Sequence, residues 1–164
     1  KIIADGEHFP REKGTFLVNV RADDTTDTGG DVILQMYRRM DEIPSSNPVG
    51  SLLAEQHIKL DRYTGNYALR VKNGTGKIEV GIDSIGGGEP SVYEYHTIVV
   101  AYEDNNWAWG RNGLLATDST DTEVVQFDAV EVNTDGMFRG HLKRIVFWPD
   151  RLSDETLYTL MEDQ

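Results

Sequence analysis

The sequence predicts an all-β protein, a two-sheet antiparallel sandwich closed by one short C-terminal helix. Runs rich in β-branched and aromatic residues recur at short intervals and stop at Gly, Asn, Asp or Pro clusters, which gives roughly nine or ten strands. No strand run alternates with a helical pattern, so nothing argues for a parallel sheet. The stretch from His141 to Met161 then changes from a strand-like to a helical period.

The elements follow in order. Gly14–Ala22, "GTFLVNVRA", is a strand that ends at an Asp/Thr/Gly cluster, and Asp31–Arg39, "DVILQMYRR", is the next. Glu42–Gly50, with two prolines and a glycine, reads as a loop. Ser51–Leu60 suits either a strand or a short helix. Asn66–Asp83 holds two strand-like runs around Asn73-Gly74-Thr75-Gly76, a hairpin signal. Gly86–Pro90 is a break. Tyr95–Gly113 reads as strand, Asp-Asn-Asn turn, strand; Glu123–Val132 alternates in part; Met137–Trp148 is the last strand.

The ending has its own logic. Ile145 and Phe147 face one side of the last strand and Val146 and Trp148 the other, so both sides of that strand are expected to be covered. Pro149 has no N–H to donate and stops the ladder. Ser153 suits an N-cap, with Asp154 and Glu155 in the first turn where the helix dipole favours acids. Leu152 and Leu157 occupy the positions of a hydrophobic staple, and Leu157, Leu160 and Met161 form a short apolar stripe.

Composition bounds the rest. A chain of 164 residues, 38% hydrophobic and 27% charged, suits one folded domain over 1–164, whether complete in itself or a piece of a longer chain. Its 28 acids against 16 bases give a net charge of −12, a surface that repels phosphate and argues against a nucleic-acid partner. No apolar run reaches membrane-spanning length, so no membrane partner is expected, and the N-terminal "KIIADGEHF" lacks a signal-peptide pattern. With no cysteine there is no disulfide framework and no thiolate metal site.

The closing pattern resembles the C-terminal signature of concanavalin A-like, laminin G-like jelly-roll domains, most of all those carried on bacteriophage tail and fibre proteins. Gly140, Leu142, Arg144, Ile145, Phe147, Trp148, Pro149, Arg151, Leu152, Ser153, Asp154 and Leu157 carry it. His96, Ile98, Val100, Tyr102, Asn112 and Gly113 are similar to that family's central hairpin, and Gly14–Ala22 to its opening strand. The resemblance implies a jelly-roll sandwich and a virion or extracellular surface location. The implied partners are a cell-surface glycan, other virion proteins and further copies of the chain. Such sandwiches host lectins, hydrolase domains and inert structural modules alike.

Catalysis finds little support. Glycosidases of this superfamily carry acids two residues apart on one strand; here that spacing occurs only at Asp5/Glu7 and Asp121/Glu123, in turn-rich contexts. Glu79 and Asp83 lie about 13 Å apart along a strand, too far for either glycosidase geometry. Ser84 lacks a nucleophile-elbow context, and the four histidines are scattered. The sequence reads as a non-enzyme.

Two binding sites are candidates. Trp107, Trp109 and Arg111 share one strand face, followed by an acid- and threonine-rich segment with Asp118 and Asp121; aromatic faces beside hydroxyl-binding polar groups suit a glycan. The alternative places the two tryptophans in the core. Asp23, Asp24, Asp27 and Asp31 offer the oxygens a calcium ion takes, the alternative being a solvated acidic turn. No other cofactor is called for. The favoured function is a non-catalytic glycan-binding or host-adhesion module. The rival is a structural or oligomerising module of a fibre or capsid, and a glycan-cleaving enzyme stands third.

Overall fold

The computed structural model describes residues 2–5, 12–23, 31–37, 56–63, 66–73, 76–81, 93–119, 124, 129–133 and 138–162. Eleven strands stand among them: β1 (Ile2–Asp5), β2 (Gly14–Ala22), β3 (Asp31–Tyr37), β4 (Gln56–Tyr63), β5 (Asn66–Asn73), β6 (Gly76–Gly81), β7 (Tyr95–Tyr102), β8 (Trp107–Arg111), β9 (Leu114–Asp118), β10 (Ala129–Val132) and β11 (Gly140–Trp148). One helix among the described residues, α1 (Asp154–Glu162), follows β11. The six-stranded sheet runs β1-β10-β3-β4-β5-β6 and the five-stranded sheet β11-β2-β7-β8-β9, and all pairings are antiparallel. The two-sheet antiparallel sandwich and its terminal helix are thus as expected. The loop expected at Glu42–Gly50 and the break at Gly86–Pro90 lie outside the described residues.

The main core sits between the sheets. Phe16, Val18 and Val20 of β2 and Ile98, Val100 and Tyr102 of β7 meet Leu34, Ile58, Leu60, Leu69 and Val71 of the other sheet. A second cluster lies on the opposite face of the five-stranded sheet, where Leu17, Val99, Ala101 and Ala108 pack under Leu157 and Met161 of α1. The central strands β2 and β7 are therefore apolar on both faces, which explains their near-continuous hydrophobic runs. Gly110 of β8 lets the helix approach, because a Cβ there would meet the Leu114 carbonyl oxygen and stand 3.0 Å from the Met161 sulfur.

The ending folds as its sequence requires. Ser153 Oγ accepts from the Thr156 N–H at 3.3 Å, the N-cap bond, and the Ser153 carbonyl accepts from the Leu157 N–H at 2.9 Å. Ile145 and Phe147 pack against the inter-sheet core while Trp148 joins the helix cluster, so the C-terminal half of β11 is covered on both faces and its first half stays largely exposed. Thr15 Oγ1 ties the turn between β11 and α1 to β2, donating to the Asp150 carbonyl and accepting from the Leu152 N–H, each at 2.9 Å.

Two elements left open by the sequence are settled here. Ser51–Leu60 resolves at its described end as strand, β4, whose Ile58 and Leu60 alternate with polar neighbours at the two-residue period. Residues 114–118, to which the sequence assigns no element, form the strand β9, because Asn112 and Gly113 make a two-residue turn at φ 48° and 86°. Positive φ at both central residues is the hairpin geometry that Asn-Gly favours.

Candidate functional site

The expected tryptophan cluster exists, but it faces inward. Trp107 pairs with Asp118, Trp109 with Ala116 and Arg111 with Leu114 across β8 and β9, so the strand face read from the sequence is real. That face belongs to the inter-sheet core: Trp107 is 1% exposed and Trp109 5%, and the Trp107 ring lies 5.7 Å from Tyr102. Arg111 is buried beside them. The reading in which these residues present an open sugar platform is corrected by this burial; β8 is an interior strand of its sheet, and its inward face meets the second sheet. Asp118 closes β9, half-buried. Asp121 lies outside the described residues.

The expected calcium residues divide. Asp23 is engaged already: its Oδ1 accepts from Arg21 Nε and its Oδ2 stands against His141 Nε2, each at 2.9 Å. Asp31 opens β3 opposite Arg62 of β4. Asp24 and Asp27 lie outside the described residues. Among the described residues no group of three or more His, Asp or Glu is placed to hold a metal.

A site the sequence did not show stands on the outward face of the six-stranded sheet. Leu34, Ile58, Leu60, Leu69, Val71 and Val130 point into the core. By strand alternation the residues between them project from the other side. The ladder sets Glu131, Gln35, Lys59 and Arg70 side by side across β10, β3, β4 and β5. Asp61, one step along β4 on the same face, stands 3.1 Å from Arg70 Nη1 and 3.3 Å from Lys59 Nζ. Tyr37 donates its hydroxyl to Glu131 Oε1 at 2.7 Å.

This face is polar yet withdrawn from water. Asp61 is 0% exposed and Glu131 5%, whereas the Lys59 and Arg70 side chains keep 20% and 28% of their surface. Buried carboxylates persist only when cations or donors hold them, and here each has its own. The result is a rigid polar floor with two part-exposed cationic heads at its edge. The buried carboxylates do not reach a ligand themselves; they fix Lys59 and Arg70, whose N–H groups can donate in set directions to a hydroxyl-rich ring. By ladder spacing the Asp61 and Glu131 backbones are roughly 11–12 Å apart, being two strands and two residues removed from one another.

Sequence reasoning passed over this floor because its members are distant in the chain. Tyr37 and Glu131 are 94 residues apart, and only the insertion of β10 beside β3 brings them together. The one local signal was the alternation "HIKLDR" in β4, with Lys59 and Asp61 opposite to Ile58 and Leu60.

No protein-family description matches the chain, and no curated protein matches it. Solved structures do. The carbohydrate-binding module CBM40 of the Ruminococcus gnavus IT-sialidase, solved with α2,3-sialyllactose, is 16% identical with a TM-score of 0.66, covering 92% of this chain and 83% of that one. Trypanosoma rangeli sialidase is 13% identical with a TM-score of 0.61, covering 92% of this chain but 22% of the enzyme. Mouse laminin α1 domains LG4-5 are 10% identical with a TM-score of 0.57, covering 94% of this chain and 40% of that one. At these identities the likeness is one of fold: the chain shares the two-sheet jelly-roll sandwich of lectin-like modules and laminin G domains.

Proposed function

We propose that this protein is a non-catalytic glycan-binding module and that the outward face of the six-stranded sheet is where it binds. The observation that carries the reading is the pair of buried carboxylates, Asp61 and Glu131, each held by its own donors on a sheet face that turns away from the core. A purely structural sandwich gains nothing from burying charge there, since apolar residues would do so at lower cost. The fold shared with a sialyllactose-bound module supports the same reading. Glycan cleavage is not favoured, because the two acids are buried and each is committed to a partner.

The resemblance of the chain's ending to phage tail and fibre domains supports a setting on a virion or extracellular surface, with host adhesion as the role. A glycan array probed with the intact protein tests the function, and a change at Arg70 tests the site. Silence on the array would favour a structural or oligomerising module instead.

A further inference from the structure

A second polar corner lies on the outward side of the other sheet, beyond the C-terminal end of α1. A cavity of about 450 Å³ opens there, lined by Tyr95, Asn112, Gly113, Lys143, Met161 and Glu162. Tyr95, 41% exposed, forms one wall. Lys143 Nζ and Arg21 Cζ each stand 5.5 Å from the centre of its ring. Asn112 and Gly113 are fixed by their hairpin turn: Asn112 Oδ1 accepts from the Thr97 N–H at 3.0 Å, and its Nδ2 lies 3.1 Å from His96 Nδ1. Two residues before Tyr95, Tyr93 is still more exposed and holds φ at 69°, pinned by its N–H to the Ala22 carbonyl at 2.8 Å. A bulky side chain in that backbone region marks strain, and strain kept at an exposed aromatic points to use.

The charge here is mixed, with Glu162 on one side of the cavity and Lys143 on the other, and Arg21 at the ring is paired with Asp23. In a chain of net charge −12, Lys143 faces an aromatic ring rather than a carboxylate, and the bulge between Leu142 and Arg144 sets Lys143 and Arg144 side by side, both exposed. Of the other bases nearby, Arg139 precedes the strand and His141 stands against Asp23, so Lys143 and Arg144 are the two that matter here. An exposed ring beside an uncommitted ammonium suits a flat ligand with a negative substituent. The ring takes a sugar's C–H face, and Lys143 turns from the ring to the anion.

We infer that this corner is a second carbohydrate site, separate from the floor of the six-stranded sheet, which takes a sugar ring bearing a carboxylate or sulfate. It rests on the reading of the protein as a glycan binder, but on different residues. The two sites lie on opposite outward faces of the sandwich, so one module can hold two chains of a glycan coat, and avidity follows from that geometry.

The test is an amide-resolved NMR titration of the intact protein with glucuronate, galactose 6-sulfate, neutral galactose and inorganic sulfate. The inference expects saturable shifts at Tyr95, Asn112, Gly113 and Lys143 with one or both acidic sugars, and none there with galactose. The acid that binds identifies the substituent. Lys143→Ala and Tyr95→Ala, both at exposed positions, are each expected to weaken this binding about tenfold or more, while Arg70→Gln leaves it unchanged. Equal shifts with inorganic sulfate alone, no saturable shift with either acidic sugar, or full binding by Lys143→Ala would each overturn it. Loss of array binding in Arg70→Gln with these shifts intact, or the converse, tells the two sites apart.

Discussion

The Tyr37 hydroxyl donates a 2.7 Å hydrogen bond to Glu131 Oε1 across 94 residues of sequence, on the outward face of the six-stranded sheet. Both side chains are buried. The bond joins β3 to β10 and so ties a late strand of the chain to an early one. Tyr37→Phe removes the donor and leaves a buried carboxylate less well held, at a cost of about 1.5–3 kcal/mol. Urea unfolding measures it. A Phe variant as stable as wild type would mean that the bond does not hold Glu131 in place.

The terminal helix is expected to be part of the core. Ser153→Ala loses the N-cap and costs about 1 kcal/mol. Leu157→Ala opens a cavity against Leu17, Val99 and Ala108 and costs roughly 2–5 kcal/mol. Thermal melts of the two variants should fall in that order. An unchanged melt for Leu157→Ala would show that the helix does not dock.

Trp109 separates core from site. Its ring is buried between the sheets, and its indole N–H has no hydrogen-bond partner among the described residues. Trp109→Ala is therefore expected to cost about 3–5 kcal/mol. Trp109→Phe, which keeps an aromatic ring and loses an unused donor, costs less. If Trp109→Ala melted normally and lost glycan binding, the ring would belong to a binding face after all.

The alkaline limb of stability should depend on Tyr102. Burial pushes its phenol far above the ordinary value of 10.0. Below pH 10 both folded and unfolded forms keep the proton, and the group leaves stability unchanged. Above it the unfolded chain loses the proton while the folded protein keeps it, so stability falls as pH rises. Unfolding followed between pH 9 and 11.5 should show this fall, and Tyr102→Phe should make it shallower. Equal slopes would show that other groups govern alkaline unfolding.

The fold was legible because its signals are local. Gly14–Ala22 appears as β2 with the bounds its sequence predicts, and Ser153 caps α1 as its position predicts. The strand after Asn112-Gly113 is not evident in the sequence, because its five residues run directly into the acid- and threonine-rich segment that starts at Asp118. The site was less legible for a physical reason. The period of two places Trp107, Trp109 and Arg111 on one face but cannot say which face is covered, since that depends on the strand order of the other sheet. Asp61 and Glu131 come onto one face only when β10, β3, β4 and β5 are set side by side. Strand order is a long-range property that no short stretch of sequence encodes.

Binding of array-selected glycans by wild type and Arg70→Gln, measured by calorimetry beside melting curves of both, tests the central claim most directly. Arg70 stands 3.1 Å from Asp61 at the rim of the polar floor. The account predicts saturable binding by wild type and a loss of about tenfold or more in Arg70→Gln, in a variant that still unfolds cooperatively. Equal affinity in the two proteins would contradict the site, and no binding of any glycan by wild type would contradict the function.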